Sequence, residues 1–139
     1  MTGITVLIVV AILAVGTGLF LRSRSGAVRA VRNSDSETDA LRPLLLDAGV
    51  TTATATVLHF SADWCGPCAA VRRVVQQVLD DRSGVREVEL DIDEHPILAR
   101  ELGVLSLPTT FVLDTELRRR SRIAGVPSAA ALRSALDAL

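Results

Sequence analysis

The chain has 139 residues, of which 49% are hydrophobic and only 3% aromatic, so it is long enough for one folded domain with an aliphatic core. Its 15 basic residues are all Arg and are balanced by 16 acidic residues, which leaves a net charge of −1. This balance argues against a dedicated nucleic-acid binder, and the lack of Lys excludes Schiff-base and P-loop lysine chemistry.

Residues 1–21 predict a transmembrane anchor. Residues 4–21 are apolar apart from two Thr and two Gly, and a helix of that length is about 27 Å long, close to the hydrocarbon thickness of a bilayer. A cleaved signal peptide and a soluble core helix are the alternatives, but no basic side chain precedes the run and no amphipathic face is visible. Arg22 and Arg24 follow the span, so the positive-inside bias predicts a single-pass protein of the cell membrane with its folded domain in the cytoplasm.

The rest of the chain divides into a polar, Arg-rich and Ser-rich linker over residues 22–37 and a folded domain over 38–139. In chain order the domain is predicted to contain a helix over 38–48 capped by Thr38, a strand over 53–61, a helix over 65–79, a strand over 85–92, a helix over 96–102, strands over 109–113 and 118–124, and a helix after Ser128. Strands alternating with helices predict an α/β fold.

Both cysteines of the chain, Cys65 and Cys68, lie where a predicted strand ends and a helix begins. A thiol attacks a disulfide as the thiolate, and the free N–H groups and dipole of a helix N-terminus stabilise that anion. Cys65 is therefore the predicted nucleophile, and Cys68, one turn further on, resolves the mixed disulfide. The alternatives are half a metal site completed by His59 and His95 or by a second chain, and a structural pair of buried thiols.

The pentapeptide W-C-G-P-C resembles the active site of the thioredoxin family, and the resemblance extends over about residues 53–139 through L-D-I-D-E-H-P, S-L-P-T-T-F-V-L and I-A-G-V. It implies a thioredoxin fold, in which a mixed central sheet is flanked by helices. It also implies supporting roles at the thiols for Trp64, Gly66 and Pro67.

The same resemblance implies a substrate-binding edge. Pro108 would be cis and face the cysteines, Leu107 before it would offer backbone hydrogen bonds to a bound substrate strand, and Gly125 would stand at the family's glycine position. An X-Pro bond costs only about 0.5–1 kcal/mol in cis, so a folded loop can hold it.

The chain departs from the family's pattern beneath the active site. The family keeps a buried Asp six residues before the first cysteine, often with a Lys on the adjacent strand, and here these positions are His59 and Glu89. His59 is either a proton acceptor for Cys68, with Glu89 beside it, or a buried neutral packing residue. Only residues 38–52 are left for the strand and helix that usually open the fold, so the first strand is predicted to be short or missing.

The resemblance implies a protein-disulfide reductase that acts on disulfide-containing proteins, has no cofactor and no metal of its own, and is recharged by thioredoxin reductase or by a membrane thiol carrier. An extracytoplasmic thiol–disulfide exchange protein is one alternative. A non-enzymatic binding module that uses the thioredoxin groove is the other.

Overall fold

The N-terminal segment of the protein forms one long exposed helix. The structure, a computed structural model, describes residues 2–24 and 26–139, so Met1 of the predicted anchor and Ser25 of the predicted linker lie outside it. Helix α1 spans Thr2–Arg24, and its stretch Gly3–Phe20 is long and apolar enough to cross a membrane, a test that a signal sequence near an N-terminus also passes. Thr17 donates its hydroxyl to the Leu13 carbonyl at 2.7 Å, which satisfies the hydroxyl inside the helix.

The folded domain is a five-stranded mixed sheet with helices on both faces, as the thioredoxin resemblance implied. Its strands are ordered β1-β5-β4-β2-β3, with β2 parallel to β3 and all other pairs antiparallel. The elements are β1 (Val28–Ala30), α2 (Asp35–Asp47), β2 (Ala55–Ser61), α3 (Cys68–Leu79), β3 (Val85–Asp91), α4 (Pro96–Glu101), β4 (Thr109–Leu113), β5 (Arg119–Ala124) and α5 (Ala129–Asp137).

The predicted linker over residues 22–37 is not a free tether, and this boundary needs correction. It contains the end of α1, all of β1 and the first residues of α2. Strand β1 pairs antiparallel with β5 through Val28 and Ile123, and Asn33 exchanges hydrogen bonds with Arg119 at 2.9 and 3.1 Å. The first strand is short, as expected, but it lies upstream of residues 38–52, and two of its three residues are exposed, as at the edge of a sheet.

The N-cap of helix α2 lies four residues before the predicted cap. Ser34 is the N-cap, and its side chain accepts a hydrogen bond from the Glu37 amide at 3.2 Å, whereas Thr38 is buried inside the helix. The pattern S-x-x-E that begins at Ser34 is a capping-box signature that explains this start. Pro43 lies within the helix, more than two turns from its first residue.

Each face of the sheet has its own aliphatic core. One core joins α2 and α4 to the sheet residues Leu58, Phe60 and Phe111, and the other joins α3 and α5 to Val57, Val112 and Ile123. Alternation along β2 therefore places His59 with Val57, on the face that α3 covers. The two cores fix α3 above β2, and so they position the cysteines at the carboxyl end of β2.

Candidate active site

Cys65 and Cys68 form a disulfide at the N-terminal end of α3. Their Cα atoms lie 5.5 Å apart, and the pair packs with Ala62, Ile92 and Leu107 in a small apolar cluster. Cys65 is 9% exposed and Cys68 only 1%. Cys65 is thus the more accessible residue of the two, which is consistent with its predicted role as the nucleophile.

The regular helix begins at Cys68 rather than at Cys65, which corrects the predicted start. Pro67 is the N-cap residue, and residues 66 and 67 form a turn closed by the Cys68 amide, which donates to the Cys65 carbonyl at 3.2 Å. Gly66 and Pro67 therefore connect the strand loop to the helix, and the disulfide still keeps the Cys65 sulfur beside the first residue of α3.

The loop before β4 faces the disulfide. The Leu107–Pro108 peptide bond is cis, as predicted, and Leu107 contacts the cysteine cluster. Gly125 has φ +86°, a conformation that favours glycine, and its amide donates to the Pro108 carbonyl at 2.8 Å. Three of the residues singled out in the sequence, Leu107, Pro108 and Gly125, are thus brought together at one end of the sheet.

Trp64, directly before Cys65 in the chain, also borders the site. Its side chain is 72% exposed and lines a shallow cavity of about 410 Å³ together with Ile92, Val104 and Leu105. Leu105 is 91% exposed. The rim of the active site therefore presents two large apolar side chains to its surroundings, and Leu105 is one that the sequence reading did not single out.

His59 lies beneath α3 with no exposed surface, and its hydrogen-bond partner is Glu87 rather than the predicted Glu89. The Nε2 atom of His59 and the Oε1 atom of Glu87 are 2.9 Å apart. In the parallel register His59 is opposite Glu89 and Val57 is opposite Glu87, so the imidazole reaches diagonally to the neighbour two residues back. Alternation along β3 would have revealed Glu87 on the same face, but only the register fixes which carboxylate accepts the bond.

Glu89 is held instead by Arg72 of α3. The Nε atom of Arg72 lies 2.8 Å from both carboxylate oxygens of Glu89. Burial acts to raise the pKa of Glu89, but hydrogen bonds from Ser61 and Arg72 and the electrostatic influence of His59 and Arg72 outweigh it, so the pKa is lowered from its ordinary value. Glu89 is therefore an ion-pair partner of the helix that carries the cysteines.

Two polar atoms on this buried face have no hydrogen-bond partner among the described residues. They are Nδ1 of His59 and Oγ1 of Thr110, and the two residues are paired directly across β2 and β4. Because Nε2 faces a carboxylate, the neutral imidazole carries its proton on Nε2, and Nδ1 is left as an acceptor. The buried histidine thus has one ring nitrogen available to take a proton.

The predicted metal alternative needed His59 and His95 beside the cysteines. The structure instead places the Nε2 atom of His59 against Glu87 and His95 at the start of α4. Within residues 2–24 and 26–139, no group of three or more His, Cys, Asp or Glu side chains could hold a metal ion.

The thioredoxin family model matches residues 45–138, most of the folded domain. The chain is 30% identical over 123 residues to a thioredoxin of Mycolicibacterium smegmatis, an alignment that covers 84% of this chain and 99% of that protein. It is 29% identical to a thioredoxin of Streptomyces clavuligerus, and this alignment covers 78% of this chain and 94% of that protein. It is also 41% identical to thioredoxin H2 of Arabidopsis thaliana, but over only 50% of this chain and 51% of that protein.

The chain belongs to the thioredoxin family of thiol–disulfide oxidoreductases. Solved structures agree on the fold. The oxidised mitochondrial thioredoxin 3 of Saccharomyces cerevisiae superimposes with a TM-score of 0.58 at 26% identity and covers 71% of this chain and 90% of its own. A mutant thioredoxin of Halobacterium salinarum superimposes with a TM-score of 0.58 at 27% identity, and the match covers 67% of this chain and 80% of that one. The Cys65–Cys68 disulfide at the start of α3 is the redox pair that this membership leads one to expect.

Proposed function

We propose that this protein is a membrane-tethered protein-disulfide reductase, with residues 1–21 in the membrane and the thioredoxin domain in the cytoplasm. The observation that carries the redox part is the Cys65–Cys68 pair at the start of α3, packed against Leu107 and facing the cis Pro108 loop in a thioredoxin-family chain. The apolar, unburied stretch Gly3–Phe20 and the Arg residues after it support the tethering.

The reaction starts from the reduced dithiol. The Cys65 thiolate attacks one sulfur of a substrate disulfide, which forms a mixed disulfide and releases the other substrate sulfur as a thiolate. The Cys68 thiol then loses its proton and attacks the Cys65 sulfur. This step closes the Cys65–Cys68 disulfide and releases the second substrate thiolate. The substrate gains two electrons, and the protein is left in the oxidised form that the structure shows.

Cys68 is buried, so its proton needs an acceptor within the protein. We assign that role to His59, on the β2 face that α3 covers, because its Nδ1 atom is unpaired and its Nε2 atom is bonded to Glu87. When Nδ1 takes the proton, the imidazolium remains paired with the Glu87 carboxylate, which stabilises the charge in a buried position. Leu107 offers its backbone to the substrate strand, and Trp64 borders the entry to the thiols.

The oxidised protein needs a dithiol donor to return to its starting state. In the cytoplasm thioredoxin reductase fits this requirement, and a membrane thiol carrier would serve a domain on the other side. Chain orientation therefore separates the proposed function from an extracytoplasmic exchange protein.

The experiment is made on the full chain in membrane vesicles and intact cells. We expect the protein to float with the vesicles after carbonate washing and, once reduced, to reduce a soluble disulfide-bonded peptide. We also expect Cys65 to be protected from an impermeant thiol reagent applied outside the cell. Recovery of a processed soluble form would overturn the tether, labelling from outside would overturn the orientation, and failure to reduce the peptide would leave only a binding module.

A further inference from the structure

We propose that the catalytic disulfide works at the membrane surface and that its substrates are disulfides of proteins held in the same membrane, with their sulfur atoms close to the bilayer. This inference rests on the tethered reductase proposed above and adds the substrate class to it. Its basis is the position at which the chain enters the sheet after α1.

The entry point is Gly26, only two residues after the end of α1. The Gly26 amide donates to the Ala124 carbonyl at 2.7 Å, so the chain joins the body of the domain as soon as the helix ends. Two residues span at most about 7 Å, so little chain is available to separate the domain from the helix end.

Gly26 is held at this point by its backbone. It is buried, has φ +78°, and a Cβ placed on it would lie 2.1 Å from the Val126 carbonyl oxygen. Only glycine allows the chain to pass this close to the segment after β5. The following residues are fixed as well, because β1 pairs with β5 and Asn33 bonds to Arg119.

The entry point lies at the active-site end of the sheet. Ala124 is paired with Thr109, the residue after the cis proline, and the next residue, Gly125, donates to the Pro108 carbonyl at 2.8 Å. Strand β2 also ends at this end of the sheet and leads into the cysteine loop. Three strand spacings separate β1 from β2, about 15 Å in all.

The end of β2, from which the cysteine loop starts, is therefore within about 22 Å of the point at which the chain leaves α1, counted as about 15 Å for three strand spacings plus at most about 7 Å for the two connecting residues. The opposite end of a domain of about 100 residues would be some 30 Å away. If α1 spans the bilayer, the site is brought to the membrane side of the domain. Two exposed apolar side chains, Trp64 and Leu105, stand at that end, and Trp is enriched at membrane–water interfaces.

The test uses the full chain in lipid vesicles, fully reduced and freed of excess reductant, in a single turnover. Two reporter peptides share one transmembrane helix and one disulfide loop. In the near reporter the loop follows the span directly, and in the far reporter a rigid helix of about 30 residues raises it by about 45 Å. A soluble peptide with the same loop reports the underlying reductase activity.

We expect the near reporter to be reduced at least about tenfold faster than the far one, because the active site and the near disulfide are both held close to the membrane surface. A Gly-Ser insertion of about 30 residues between Arg24 and Gly26 gives the domain a reach of about 30 Å and is expected to cut this preference to below about threefold. The insertion leaves the cysteines and the sheet unchanged, so reduction of the soluble peptide serves as its control.

The outcomes separate the two levels of the proposal. A chain that floats with the vesicles and reduces the soluble peptide, but treats the two reporters alike, overturns the membrane-surface inference and leaves the reductase in place. The same holds if the insertion does not change the preference. A chain that fails to float, or fails to reduce the soluble peptide, overturns the tethered reductase and this inference with it.

Discussion

The Nε2 atom of the buried His59 lies 2.9 Å from a carboxylate oxygen of the half-buried Glu87, and the other ring nitrogen of His59 has no partner among the described residues. This pair replaces the His59–Glu89 contact that strand alignment suggested. The buried imidazole is thus held through Nε2 by a residue of the edge strand β3, while its Nδ1 atom can still accept a hydrogen bond or a proton.

His59→Ala is expected to slow closure of the Cys65–Cys68 disulfide from the mixed disulfide by about tenfold or more and to leave the first attack nearly unchanged, because only Cys68 has a proton to lose at that step. The single Trp of the chain, Trp64, is adjacent to Cys65, so its fluorescence in stopped flow reports both steps. A resolution rate within about twofold of the parent protein would make His59 a packing residue.

Glu87→Gln tests the positioning role of the carboxylate. The amide oxygen still accepts the Nε2 proton but no longer stabilises an imidazolium, so resolution is expected to fall between that of the parent protein and that of His59→Ala, with a shifted pH profile. Glu89→Gln is the matched control, since Glu89 bonds to Arg72, and it should leave the resolution rate closer to that of the parent protein. Equal effects of the two substitutions would remove the special role of Glu87.

Cys68→Ser is expected to trap mixed disulfides with protein partners, and Cys65→Ser to trap none, because only the more accessible Cys65 makes the first attack. In the reduced protein Cys65 should also alkylate faster than Cys68. Mass spectrometry after brief iodoacetamide labelling measures this directly. Equal labelling of the two thiols, or trapping by Cys65→Ser, would reverse or cancel the assigned roles.

Gly26→Ala is expected to destabilise the sheet edge by more than Gly49→Ala. Both glycines have positive φ, and forcing alanine into that region costs about 1–2 kcal/mol, but only the Cβ at position 26 would meet backbone, at 2.1 Å, while nothing lies within 4 Å at position 49. Hydrogen exchange at β1 and denaturant unfolding of the full chain measure the difference. Equal losses of stability in the two variants would mean that the close approach of Gly26 to the Val126 carbonyl does not hold the chain after α1.

Arg72→Gln is expected to weaken the acid dependence of stability. The pKa of Glu89 is lowered in the folded protein, so its ionised form contributes stability above the ordinary pKa of 4.5 and loses it as the pH falls through the lower folded value. Without Arg72, unfolding midpoints measured from about pH 7 to about pH 3 should fall less steeply. Arg100→Gln is the control, because its exposed contact with Glu101 is 3.8 Å long, and it should leave the slope unchanged.

Much of the domain could be predicted because its strands and helices carry their own patterns. The strand over 109–113 has the predicted bounds, and Ser128 caps the last helix as expected. The W-C-G-P-C and L-P-T motifs placed the disulfide and the cis proline. These features depend on local sequence, and they were therefore visible before the fold was known.

What could not be predicted depends on contacts between distant parts of the chain. Strand β1 is three residues long and has no hydrophobic alternation, so only its pairing with β5 reveals it. The choice of Glu87 over Glu89 depends on the register of β2 and β3 and on Arg72 holding Glu89. The cap at Ser34 is different, because it depends only on the local S-x-x-E pattern and could have been predicted from the sequence.

The pairing of Val28 with Ile123 joins a strand near the start of the chain to one near its end. During synthesis α1 and β1 leave the ribosome first, but β1 has no partner until residues 119–124 have emerged. Pairing between such distant segments is slow, because the intervening chain must be ordered first. Strand β1 must therefore join the sheet as a late step of folding, so truncation after β4 should leave the segment that follows α1 without its place in the sheet.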